Sequence, residues 1–329
     1  VDVGVASIMT SFNVFDYVPV SASKQLFTNV LRDMWDFKGF VVTDYTAILE
    51  MIKHGTGDMQ KVSADALKAG IDMDMVSEGL QGTLKKSLDE GKIDLEMINN
   101  ASRRILAAKD KLGLFEDPYR YFDAERAKKE ILSKSNRQFA RKVAAETFVL
   151  LKNENNLLPL KKKGRIALIG PLADSRRNML GTWSVSGDHN IAVTLKEGME
   201  AAVKGKATLL YAKGSNISDD PVFAKKVNAF GPEIVIDERS PDEMLKEALS
   251  IANRSDLIVL AVGEAADMSG EASSMAHIGL QKAQTRLIKA LKQTGKPIVM
   301  ILYNGRPMTI GWEKENMDAI LDVWFGGTE

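Results

Sequence analysis

The sequence predicts an α/β protein assembled in two parts from strand and helix repeats. Short apolar runs that stop at polar or acidic residues read as buried parallel strands. The stretches between them place apolar residues at helical spacing, so each strand is followed by a covering helix. Finally, 329 residues with 45% hydrophobic and 27% charged content supply core enough for roughly two globular domains.

Taken in order, residues 5–9 form an apolar run ending at Thr10-Ser11-Phe12-Asn13, and residues 40–42 form another ending at Thr43-Asp44-Tyr45. Between them, residues 21–35 carry Leu26, Val30, Leu31 and Met34 on one side of a helix with Ser21 as its cap, completing a βαβ unit. A helix over 60–69 closes at Gly70, where a helix end takes glycine, and residues 71–75 read as a third strand. Amphipathic helices follow over 79–90 and 94–112. The run Phe115-Glu116-Asp117-Pro118-Tyr119 then breaks the pattern, which sets a first domain at residues 1–115.

Residues 116–147 read as a helical connection, with helices over 124–131 and 136–147. A second domain over 148–329 carries strands at 148–151, 166–169, 207–211, 257–262, 298–303 and 319–323. Helices at 195–203, 241–253 and 280–293 fill the gaps between them. This alternation predicts a largely parallel sheet covered on both faces.

Several function classes fall away. Lys plus Arg equals Asp plus Glu at 44 each, so no basic footprint for nucleic acid exists. No apolar run approaches the ~18 residues that cross a bilayer. With no cysteine, and with His54, His189 and His277 scattered, neither a disulfide framework nor a metal site is expected. Gly55-Thr56-Gly57-Asp58-Met59-Gln60 lacks the third glycine of a dinucleotide loop and reads as a turn, so no cofactor is expected. A (β/α)8 barrel needs ~250 residues, and the first domain supplies about three of its eight units. These missing units, together with the family resemblance that its motifs carry, make the chain read as a segment of a longer polypeptide.

Two carboxylates stand out by position. Asp44 directly follows the apolar strand at 40–42, where parallel α/β folds gather catalytic groups. Asp also caps helices by accepting from free backbone N–H groups, and a helix begins near Ala47, so capping is a second reading. Glu271 lies in the small-residue loop Gly270-Glu271-Ala272-Ser273-Ser274 beyond the strand at 257–262, where an ordinary solvated carboxylate is the alternative.

Four segments in order, Gly39-Phe40-Val41-Val42-Thr43-Asp44-Tyr45, Ala69-Gly70-Ile71-Asp72-Met73-Asp74-Met75, Leu150-Leu151-Lys152-Asn153-Glu154-Asn155-Asn156-Leu157-Leu158-Pro159-Leu160 and Gly270-Glu271-Ala272-Ser273-Ser274, resemble glycoside hydrolase family 3 in its bacterial periplasmic β-glucosidase branch. The resemblance implies that residues 1–115 are the last units of a TIM-type (β/α)8 barrel carrying the nucleophile. It makes residues 148–329 an α/β sandwich domain that lends the acid/base, incomplete at its C-terminal end.

By the same resemblance Asp44 is the nucleophile and Glu271 the acid/base, while Met9, Phe12 and Tyr45 line the bound sugar. The residue types suit a retaining mechanism, in which one ionised carboxylate attacks the anomeric carbon and one carboxylic acid protonates the leaving oxygen, ~5–5.5 Å apart. Many relatives carry Trp in place of Tyr45 and Arg in place of Met275. The implied activity is a cofactor-free and metal-free retaining exo-β-glucosidase, periplasmic or secreted. Another exo-β-glycosidase such as a β-xylosidase, or a non-catalytic carbohydrate-binding protein, is the alternative. The expected partners are an oligosaccharide or glycoside substrate, with neither nucleic acid nor membrane, and a second copy of the chain in a homodimer.

Overall fold

The computed structural model describes residues 1–184, 186–227, 234–271 and 273–329, and the chain divides into two compact units, Val1–Ala124 and Glu125–Glu329.

In the first unit, β1 (Ser7–Met9) runs parallel to β4 (Phe40–Val42), with Ser7 opposite Phe40 and Met9 opposite Val42. Between them, β2 (Val14–Phe15) and β3 (Val18–Pro19) form a small antiparallel ribbon. Its turn residues Asp16 and Tyr17 both have positive φ, the geometry of a tight two-residue hairpin. The expected helix over 21–35 is a wide-turned π-helix at Gln25–Met34, whose end is marked by the Trp35 N–H donating to the Val30 carbonyl at 3.0 Å.

Helices α1 (Ala47–Lys53), α2 (Met59–Ala69), α3 (Gly79–Asp89) and α4 (Leu95–Lys111) follow. Asp58 caps α2 through the Lys61 N–H, and Gly70 ends it at φ 106°, a left-handed conformation that glycine adopts without a Cβ penalty. The unit's core gathers Phe27, Leu31, Val41, Ile48, Met51, Val62, Leu67 and Ile71.

One expectation is corrected here. The third strand, expected over 71–75, is reduced to one parallel bridge between Val42 and Met73. Among the described residues the first unit's parallel set is β1 and β4 with the Met73 bridge, short of the eight strands that close a barrel.

The second unit opens with α5 (Ala124–Glu130), which starts at the last residue of the first unit, and α6 (Lys134–Thr147). Next come β5 (Val149–Asn153), β6 (Arg165–Ile169), α7 (Leu195–Val203), β7 (Thr208–Ala212), α8 (Pro221–Lys226) and α9 (Pro241–Asn253). The unit ends with β8 (Leu257–Gly263), α10 (Lys282–Lys292), β9 (Ile298–Tyr303), α11 (Gly311–Asn316) and β10 (Ala319–Asp322). Capping boxes start α7 and α9: Thr194 with Glu197, and Ser240 with Glu243.

Among the described residues the six strands lie in the order β5-β10-β9-β8-β6-β7. All neighbours are parallel except β5, which pairs antiparallel with β10, so the sheet is mixed and not purely parallel. Both faces of the central strands are buried, whereas the edge strand β5 is largely exposed. On β8, Ile258, Leu260 and Val262 face a core shared with α9 and α10, while Val259 and Ala261 face one shared with α7 and α8. This two-sided burial explains the unbroken apolar run, since each fully buried aliphatic side chain contributes about 1.5–3 kcal/mol. The chain passes from β6 outward to β7, then returns to place β8 on the other side. This reversal is the switch point at which open α/β sheets hold ligands beyond their strand ends.

Candidate active site

Asp44 is placed by strand ends. Val42 pairs with Met9 on one side and bridges Met73 on the other, so three chain segments reach the same edge. Beyond it, the buried Thr43 donates its N–H to the Met73 carbonyl at 2.9 Å and accepts the Met75 N–H on Oγ1 at 2.8 Å. The Thr46 N–H donates to the Met75 carbonyl at 2.9 Å, with Thr46 held at φ 60°. The turn bearing Asp44 is therefore sewn to the segment after Ile71.

Asp44 is half-buried. Its Oδ1 accepts the Tyr45 N–H at 2.6 Å and its carbonyl accepts the Ala47 N–H at 3.1 Å. The cap position of α1 belongs to Thr46, which makes no side-chain cap bond, so the Asp44 carboxylate does not serve the helix as the capping alternative supposed. Met9, Phe12 and Tyr45 are 54%, 38% and 59% exposed. Tyr45 directly follows Asp44, Met9 pairs with Val42 two residues before it, and Phe12 lies on the segment leading to β2.

Beneath this platform, the Asp72 carboxylate accepts from Arg32 at 2.6 Å, Arg104 at 2.7 Å and the Val41 N–H at 2.8 Å. Burial holds the Arg32 guanidinium below its ordinary pKa, with Asp72 pulling the other way. Sequence reading singled out Asp72 only within a motif. Its position in a buried strand-like segment was the available sign that it needs cationic partners.

Glu271 lies on the loop after β8, beside the switch point. Gly263, at φ 138°, starts that loop where a Cβ would stand 1.9 Å from the Tyr303 carbonyl oxygen, so only glycine fits. Glu264 is 2% exposed and forms an ion pair with Arg306 at 3.1 Å. Burial raises its carboxyl pKa against the pull of that arginine. Arg306 also donates to the carbonyls of Met268 and Ser273, the latter at 3.0 Å.

From the loop after β6, the Asn178 Oδ1 accepts the Ala266 N–H at 2.8 Å, Arg177 pairs with Asp267 at 2.6 Å, and the Thr182 Oγ1 donates to the carbonyls of Ala266 and Ser269. Glu271 itself is exposed, and its carbonyl accepts from Ser273 Oγ at 3.4 Å. Its neighbour Ala272 lies outside the described residues. The backbone around Glu271 is thus anchored on both sides while its carboxylate is left to solvent.

Arg177, Asn178, Thr182 and Arg306 were not singled out from sequence. A signal was available for Arg306, which lies just beyond the end of β9, whereas the other three sit well along the loop that follows β6. Among the described residues no cluster of three or more His, Cys, Asp or Glu is arranged to hold a metal. No helix there is long and apolar enough to cross a membrane.

Comparison with known proteins gives consistent matches along the chain. Residues 1–108 match the glycosyl hydrolase family 3 N terminal domain and residues 148–329 its C-terminal domain. The chain is 42% identical to a periplasmic beta-glucosidase of Salmonella typhimurium over 332 aligned residues, covering 100% of this chain and 43% of that protein. It is 33% identical to a beta-xylosidase of Formosa agariphila, covering 99% of this chain and 44% of that protein. Among solved structures, the beta-glucosidase from Listeria innocua in complex with isofagomine aligns with a TM-score of 0.85 at 34% identity, covering 100% of this chain and 42% of that one. The same enzyme in complex with glucose aligns with a TM-score of 0.83 at 35% identity, again over 100% of this chain and 42% of that one. The chain thus spans less than half the length of the relatives it matches. With both family domains matched in order along one chain, the chain belongs to glycosyl hydrolase family 3.

Proposed function

We propose that this chain is the catalytic portion of a retaining exo-β-glucosidase that releases terminal β-linked glucose from oligosaccharides or glycosides. The observation that carries the reading is the 42% identity to a periplasmic beta-glucosidase along the whole chain, with a carboxylate on the strand-end turn after β4. In this reading residues 1–115 are the last units of a TIM-type barrel, 116–147 a linker and 148–329 the sandwich domain. The name of the Salmonella relative supports the reading of a periplasmic or secreted location.

Asp44, ionised, attacks the anomeric carbon as the C–O bond to the leaving group breaks, giving a covalent glycosyl-enzyme. Glu271, protonated, delivers its proton to the departing oxygen. It then accepts a proton from the water that displaces Asp44, which restores both groups. Met9, Phe12 and Tyr45 offer apolar surface to the sugar ring. Glucose is favoured over xylose because the glucosidase relative is the more similar, 42% against 33%.

A panel of nitrophenyl glycosides on the full-length protein tests the reading. The β-glucoside is expected to be the best substrate, with turnover lost in Asp44→Ala and the fold kept, since removing one local carboxylate to backbone bond costs about 1 kcal/mol. Full turnover in Asp44→Ala would refute the nucleophile, and preference for the xyloside would shift the assignment to a β-xylosidase.

A further inference from the structure

We propose that Arg306 is a positioning residue for the acid/base glutamate, clamping from one point the two ends of the loop that carries Glu271; this rests on the acid/base reading of Glu271. The guanidinium spans the loop. Its Nε lies 3.1 and 3.2 Å from the two carboxylate oxygens of Glu264, at the loop's start. Its Nη2 donates to the carbonyls of Met268 and Ser273, three residues before and two residues after Glu271.

The surroundings leave little room for this arrangement to shift. A Cβ on Gly305 would stand 2.0 Å from Ser269 Oγ, and one on Gly270, at φ 111°, 2.4 Å from Thr182 Cγ2. A planar fork with several donors can hold a carboxylate and two carbonyls at once, which an ammonium on a flexible stem cannot do with fixed geometry. General acid catalysis depends on that geometry, and a displacement of about 1 Å in a reacting group can cost on the order of a hundredfold. Arg306 therefore acts through the loop.

The test measures kcat/KM on the full-length protein for aryl β-glucosides of graded leaving-group pKa, in wild type, Arg306→Lys, Arg306→Gln and Glu271→Ala. Poor leaving groups need the proton. For them the Arg306 variants are expected to lose roughly tenfold or more, against less than about twofold for a dinitrophenyl leaving group, with Lys between wild type and Gln. Hydrogen exchange in the loop from Glu264 to Ser274 is expected to rise. Should Arg306→Gln fail to fold, Glu264→Gln loosens the same clamp and is expected to give a smaller loss of the same leaving-group dependence. Equal losses on all substrates beside a leaving-group-dependent Glu271→Ala, or no loss on poor leaving groups, would overturn the clamp alone. A Glu271→Ala variant without leaving-group dependence would overturn the acid/base reading and the clamp with it.

Discussion

The Arg32 guanidinium stands 2.6 Å from the Asp72 carboxylate, whose side chain is fully enclosed while that of Arg32 is 10% exposed. The pair ties the π-helix to the segment that bridges Val42, and the same carboxylate accepts the Val41 N–H. The support of the Asp44 turn is thus a largely buried ion pair that water screens only weakly.

Removing one partner of such a pair strands the other in a low-dielectric interior. Asp72→Ala is expected to destabilise the first unit by about 3–5 kcal/mol, because Arg32 and Arg104 lose their carboxylate partner and the Val41 N–H loses its acceptor. Urea unfolding followed by circular dichroism reads this out, and a change below about 1 kcal/mol would show that the pair is dispensable.

Glu271→Ala is expected to behave as loss of an acid and not as loss of the fold. Activated aryl glucosides should retain turnover, and added azide should raise it by attacking the glycosyl-enzyme, yielding a β-glucosyl azide. The azide product is identified by mass spectrometry, and its absence together with uniform loss on all substrates would contradict the assignment.

Asp322, at the end of β10, is 7% exposed and accepts the Trp324 N–H at 3.2 Å. Burial raises its pKa above the ordinary carboxylate value, against the pull of the Trp324 and Asn304 donors. A carboxyl with a raised folded-state pKa contributes stability that is full below its unfolded pKa, about 3.9, and is lost as pH rises through the folded value. Asp322→Asn removes that loss. The variant is expected to melt above wild type at pH near 7, with the gap closing below about pH 4; a gap that widens in acid would reverse the sign.

The strand at Ile298–Tyr303 and the helices at Leu195–Val203 and Pro241–Asn253 lie where apolar spacing places them, because periodicity and capping residues act within a few residues of chain. The π-helical winding of Gln25–Met34 was not legible, since the same apolar residues suit either helix and only the bonds formed on packing choose between them. Short elements such as α8, α11 and the ribbon of β2 with β3 carry too few residues for any period to emerge.

By itself the sequence determined the alternation of strands and helices, the buried two-sided strands and the position of Asp44 and Glu271 just beyond strand ends. Only the tertiary structure decided that β5 pairs antiparallel with β10, that residues 71–75 contribute one bridge instead of a strand, and that Arg306 reaches back to Glu264 across 42 residues. The reason is physical. Hydrophobic spacing is written along the chain, whereas strand partners and buried charge pairs are selected by long-range contacts that offset desolvation and chain entropy together.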